Sequence, residues 1–80
     1  MALYGYAQYL MNSNDRAFAA VHKAGVVAPH SGIYRCEGCG YEVVSSEGHP
    51  LPSQNHHQHT QRQGAIRWRL IVCAQLKIVA

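Results

Sequence analysis

With 80 residues, a formal net charge of +3 and 48% hydrophobic residues, the chain is one domain at most. That apolar fraction is ordinary for a folded protein and excludes wholesale disorder. No stretch reaches the roughly 18 consecutive apolar residues of a membrane-spanning helix, so no membrane partner is expected.

A chain this short buries only about 60% of the surface its unfolded form exposes, and small domains near that limit usually carry a disulfide or metal staple. The cysteines are Cys36, Cys39 and Cys73, an odd count for a disulfide framework. The opening "MALYGYAQYLM" lacks the basic start of a signal peptide. The expectation is a reducing, cytoplasmic setting, where Cys-x-x-Cys reads as metal or redox chemistry.

Taken in chain order, residues 1–30 are rich in Ala and Tyr and read as an N-terminal helical segment. Leu3, Tyr6, Ala7 and Leu10 fall near helical spacing, although the tyrosines also suit a strand. "NSNDRAFAAVHKAG" predicts a helix over 14–24. Ser13 or Asn14 caps it, Phe18 and Val21 share a face, Lys23 sits in the last turn, and Gly25 stops it. Residues 31–80 form the second part. Ile33 to Arg35 and Tyr41 to Val44 predict two short strands around the tight turn "CEGCG". Residues 45–64 are polar, carry two prolines and show no period, so something must tie this stretch down. In "AIRWRLIVC", Ile66, Trp68, Leu70 and Val72 alternate with Arg67 and Arg69, which predicts a strand over 65–73. The expected architecture is a small α+β domain in which a three-stranded antiparallel sheet packs against the N-terminal helical segment.

Cys36-x-x-Cys39 followed by Gly40 is the pattern of a zinc knuckle, with Gly38 and Gly40 expected to supply positive φ. Two thiolates leave a tetrahedral shell half filled. His56 and His59 repeat the x-x spacing after an interval of sixteen residues, close to the usual distance between two knuckles. His57 competes with His56, because His57 and His59 would share one face of an extended segment. One zinc ion held by Cys36, Cys39, His56 and His59, with His57 as the competing ligand, is therefore expected to cinch the polar stretch. Structural zinc contributes on the order of 10–16 kcal/mol in small peptides, as much as a whole domain's stability of roughly 5–15 kcal/mol.

"SGIYRCEGCG" followed by "GHPLPSQNHH" resembles the zinc-ribbon proteins, whose pattern runs G-x-Y-x-C-x-x-C-G, then Gly and Leu-Pro, then a second Cys-x-x-Cys. The likeness spans about residues 31–68 and matches Gly32, Tyr34, Cys36, Cys39 and Gly40. At the second knuckle the pattern's cysteine positions fall on Gln54 and His57. The tail "PSQNHHQHTQRQGAIRWRLIV" is similar to short bacterial proteins of unknown function, some labelled "protein L". The resemblance implies a zinc-ribbon or rubredoxin-like sheet and brings no activity with it.

Trp68 between two arginines could stack a base, but a Trp on an alternating strand is more often core. Tyr34 and Tyr41 are expected to pack across the hairpin, Cys73 to act as a small apolar filler, and His22, His30 and His49 to be surface or capping residues. The glutamates Glu37, Glu42 and Glu47 form no H-E-x-x-H motif, so no enzyme is expected. The cations Arg16, Lys23, Arg35, Arg62, Arg67, Arg69 and Lys77 are scattered without a run. These observations point to a non-enzymatic module in which the zinc is structural. Arg67 and Arg69 would meet a partner, a protein in preference to nucleic acid. The alternatives are a metal or redox sensor built on the Cys/His cluster, and a metal-free interaction domain.

Overall fold

The computed structural model describes residues 1–75, and Lys77 lies outside them. At its centre is β4 (Arg67–Cys73), where the predicted alternation is realised: Trp68 and Leu70 are fully buried while Arg67 is exposed. β4 pairs antiparallel with β1 (Val21–Lys23) on one side and β2 (Gly32–Cys36) on the other, and β3 (Glu42–Ser45) pairs antiparallel with β2. The sheet order is β1-β4-β2-β3. Four strands replace the expected three.

The extra strand comes from the segment read as a helix. Within 14–24 the only helical geometry is a 3-10 turn, Arg16–Phe18, and it is capped by Asp15, whose Oδ1 accepts from Ala17 N at 3.0 Å. A second 3-10 turn, Ala7–Tyr9, is all that forms in the first eleven residues. The physical reason is competition. An isolated helix shorter than about 12–15 residues is marginal in water. The free edge of β4 instead offers Val21, His22 and Lys23 a ladder opposite Arg69, Trp68 and Arg67. Gly25 follows at φ +84°, turning the chain after a strand rather than stopping a helix.

Ala28, Tyr34, Cys36, Leu51, Ile66, Trp68 and Leu70 form the core on one face of the sheet, with Ala17, Phe18, Ala24 and Val43 packed at its margin. Burial pushes the Tyr34 phenol up, so it stays protonated and donates to His30 O at 2.6 Å while accepting from His30 N at 3.2 Å. Close approach of β2 to β4 requires Gly32, where a Cβ would collide with the Val72 carbonyl oxygen. Between Tyr34↔Leu70 and Ile33↔Val72 the register shifts, leaving Ile71 as an extra residue on β4. The slip turns Val72 toward the face of Ile33, away from the core, and Cys73, opposite Gly32 at the end of β4, is exposed and fills nothing.

The polar stretch is tied down along its length. Backbone bonds link Gly48 N to Ala28 O, Ala28 N to His49 O, Leu51 N to Val26 O and Gly25 N to Leu51 O, at 2.8–3.1 Å. Leu51 is buried, Pro52 O accepts from Trp68 Nε1 at 3.1 Å, and Gln54 Oε1 accepts from Ile66 N at 2.9 Å. No helix among the described residues is long and apolar enough to cross a membrane.

Tyr34→Phe removes a hydroxyl that satisfies both backbone groups of His30. A net hydrogen bond contributes about 0.5–1.5 kcal/mol, and an orphaned buried group costs about 1–3 kcal/mol. Urea unfolding of the variant is expected to show a loss of about 1–2 kcal/mol at unchanged m-value. Stability equal to the wild type would contradict the placement of the phenol.

Candidate metal centre

Cys36 ends β2, Cys39 lies in the turn that follows, and His57 and His59 come from the far end of the polar stretch. One ligand atom from each of these four side chains lies within 4.8 Å of all the others. The turn closes through Gly40 N to Cys36 O at 2.8 Å and Cys36 N to Tyr41 O at 2.7 Å. Gly40 has φ +83°, as expected of a knuckle glycine, but Gly38 does not have positive φ. Its smallness serves a different need: a Cβ there would stand 2.7 Å from Gln63 O and 2.8 Å from His59 Cε1. Gly38 makes the room into which the histidine limb descends.

Cys39 Sγ lies 3.1 Å from His57 Nε2 and 3.2 Å from His59 Nε2, Cys36 Sγ lies 3.4 Å from His59 Nε2, and the two Nε2 atoms are 2.9 Å apart. With Zn–N near 2.0–2.1 Å and Zn–S near 2.3 Å, a tetrahedral shell has edges of about 3.4 Å (N···N) to about 3.8 Å (S···S), so these contacts are within about half an ångström of its edges. The imidazoles are also presented correctly. His59 Nδ1 donates to Gly64 O at 2.7 Å, which leaves Nε2 with its lone pair facing the sulfurs. His57 Nδ1 lies 3.0 Å from His56 Nδ1, a partner that can hold His57 in the same tautomer. Two thiols and two lone-pair nitrogens thus converge on one point. That donor set fits zinc.

His56, the expected partner of His59, stands outside this group. His57 and His59 are two positions apart in a non-helical segment and therefore reach the same side, whereas the three-residue step from His56 would need a turn. His57 is gripped by Tyr41, stacked at 4.6 Å with the rings 9° apart, and by the edge of Trp68 at 5.8 Å. His56 packs edge-on against Tyr41 at 5.1 Å and Trp68 at 6.0 Å. Gln54, aligned with a ligand position of the zinc-ribbon pattern, instead holds Ile66 N. The supporting roles of Gly64 O, Gln63 and Tyr41 have no signal in the sequence beyond Tyr41's place beside the knuckle.

The side chains of Arg67 and Arg69 pair away from the four donors. Arg67 Nη2 donates to Gln63 O at 3.3 Å, and Arg69 Nε pairs with Glu37 Oε1 at 3.4 Å. His22 is half-buried beneath β1 with its ring 6.3 Å from Tyr34, and His30 acts through its backbone.

No family model and no solved structure matches the chain. It is 46% identical over 67 residues to "Protein L" of Escherichia coli, an alignment that covers 84% of this chain and 76% of that protein. The chain belongs to the family of Protein L. The aligned length is large enough to take in most of the sheet and its loop, and the relative's name specifies no chemistry, so the chemistry of this Protein L family member is read from its four donors.

Burial pushes the Cys36 thiol up, but backbone hydrogen bonds from Arg67 and Gly38, a side-chain bond from His57 and a backbone bond from Cys39 outweigh it and bring it down from 9.0 to about 6. An acid whose folded pKa is depressed stabilises the fold fully above its unfolded value, and that contribution is lost as pH falls through the folded value. In metal-free, reduced protein the stability advantage of wild type over Cys36→Ser is therefore expected to grow from pH 6 to pH 9. Urea titrations across that range measure it, and a pH-independent difference would show that the thiolate is not stabilised.

Proposed function

We propose that this protein is a non-enzymatic binding module in which one structural zinc ion, held by Cys36, Cys39, His57 and His59, pins the histidine limb against the sheet. The observation that carries this reading is the donor set itself, four soft or borderline ligands on one point with no carboxylate among them. Structural zinc sites are closed by four protein ligands, whereas catalytic ones keep a position open and need a nearby base. Three of the four carboxylates are engaged elsewhere: Asp15 caps a turn, Glu37 pairs with Arg69, and Glu42 Oε2 lies 3.3 Å from the Met1 amine. The hairpin of β2 and β3 around the knuckle, with β4 beside it, supports a zinc-ribbon-like description of this half of the chain. When bound, the ion would supply a cross-link between residues 36–39 and 57–59, which hydrophobic burial alone cannot give so small a domain.

Protein purified without a histidine tag is expected to carry one zinc ion by native mass spectrometry. His57→Ala, His59→Ala and Cys39→Ser are expected to abolish that stoichiometry, whereas His56→Ala retains the ion with lowered affinity, since it removes the partner of His57 Nδ1 but no donor. Because bound imidazoles must be neutral, zinc affinity is expected to fall below about pH 6. Full occupancy in His57→Ala with loss in His56→Ala would reverse the ligand assignment, and metal-free wild type would remove the reading altogether.

The exposure of Cys39 favours a second reading, a redox sensor. In that case stoichiometric hydrogen peroxide oxidises the two thiolates to a disulfide, the peroxide taking up two protons from solvent and leaving as two waters, and the zinc is released to a colorimetric chelator and rebound after reduction. Zinc that stays bound under the same treatment leaves the structural role alone.

A further inference from the structure

The strand register gathers cations that the sequence scatters. Residues directly opposite in an antiparallel ladder share a face. Lys23 pairs with Arg67 across β1 and β4, and Arg35 pairs with Arg69 across β2 and β4. Arg35, Arg67 and Arg69 alternate with buried residues and Lys23 stands opposite Arg67, so all four occupy the sheet face opposite the core. Like charges directly opposite destabilise a sheet, and these two pairs lie side by side on β4. Compensation is sparse. Glu37 meets Arg69 Nε at 3.4 Å without hydrogen-bond geometry, and Glu42, although opposite Arg35 in register, pairs with the Met1 amine. Among the described residues no carboxylate oxygen lies within 4.0 Å of a side-chain nitrogen of Lys23, Arg35 or Arg67.

The N-terminal segment reaches the same face at β2 and β3. Met1, Ala2 and Leu3 line a groove with Ile33, Val43 and Val44, and Ile33 and Val44 are a cross-strand pair on the face opposite the core. The chain that continues from this groove exposes Tyr4, Tyr6 and Tyr9 by 67%, 65% and 78%. Exposed rings and a cationic surface are the two components by which proteins hold single-stranded nucleic acid, the cations tracking phosphates and the rings stacking on unpaired bases. An acidic polypeptide would use the cations and leave the tyrosines idle, and a duplex hides the base faces that the rings would cover.

We infer that this sheet face, with Lys23, Arg35, Arg67 and Arg69 on the phosphates and Tyr4, Tyr6 and Tyr9 on the bases, binds single-stranded nucleic acid. The surface goes beyond the metal reading and lies on the side of the sheet away from Trp68 and Cys36, so zinc content and oligonucleotide affinity are separate measurements on the same tag-free protein.

Three or four phosphates neutralised on a single strand give a log–log salt slope of about −2 to −3, so affinity for a single-stranded oligonucleotide is expected to drop about twenty- to fifty-fold between 50 and 200 mM salt. Lys23→Glu, at an exposed site with no side-chain partner to lose, is expected to weaken binding and flatten that slope by about one unit or less, and Arg67→Glu to do the same. Each Tyr→Ser change at Tyr4, Tyr6 or Tyr9 that removes a stacked base is expected to cost at least about five-fold without altering the slope. These tyrosines lie outside the core, so the variants keep the question open to refutation even if Arg67→Glu disturbs the loop. Equal affinity for duplex and insensitivity to the tyrosine changes would overturn the single-strand assignment. Poly-glutamate bound as tightly as the oligonucleotide would overturn it in favour of an acidic protein, and no binding at 50 mM salt would overturn it outright.

Discussion

Trp68 fixes both halves of the Cys–His group in one place. In the ladder it stands opposite Cys36 on one side and His22 on the other, so the indole and the knuckle sulfur share the buried face. Its Nε1–H donates to Pro52 O, anchoring the start of the segment that carries the histidines. Its ring then flanks His56 and His57 at 6.0 and 5.8 Å. A side chain this large, fully buried in a domain this small, serves as a template as well as ballast. The knuckle supplies sulfur by local geometry, and Trp68 determines what arrives opposite it.

The division of labour between the two glycines of the knuckle follows from the same arrangement. Gly40 is needed for its backbone, at φ +83°, with the Arg35 guanidinium resting against it so that a Cβ would be 3.1 Å from Nη2. Gly38 is needed for its absence of bulk beneath His59 and Gln63. Each residue in Cys-Glu-Gly-Cys-Gly therefore has a contact of its own. Glu37 donates its backbone N–H to Arg67 O and offers its carboxylate to Arg69, joining the turn to β4 on the outer face. The Cys–His group and the cationic face are thus back to back across a single layer of sheet, joined through residues 35–37 and 67–69.

That single layer also explains the exposed apolar chain at the start of the protein. A four-stranded sheet covered on one face by loops alone has too little area to bury Met1 to Met11 as well, and none of those residues is buried. The hydrophobic content counted from composition is therefore divided between a small core and a surface available to a partner.

What the sequence determined by itself is what depends on neighbours in the chain. Cys36, Cys39 and Gly40 declare a knuckle because a five-residue turn sets the sulfurs, and Trp68 and Leu70 declare a buried strand face because side chains alternate. The sequence also showed that residues 45–64 must be held. Only the tertiary structure decided the rest, because each of those outcomes depends on a partner distant in the chain. Val21–Lys23 became a strand, not a helix, once the edge of β4 was there to pair with. His57 rather than His56 joined the donor group, its ring stacked flat on Tyr41 while that of His56 meets Tyr41 edge-on. Val72 left the core because one extra residue on β4 shifted the ladder. Cations that read as a solvated scatter became a patch by register, a quantity set between strands and therefore invisible along any one of them.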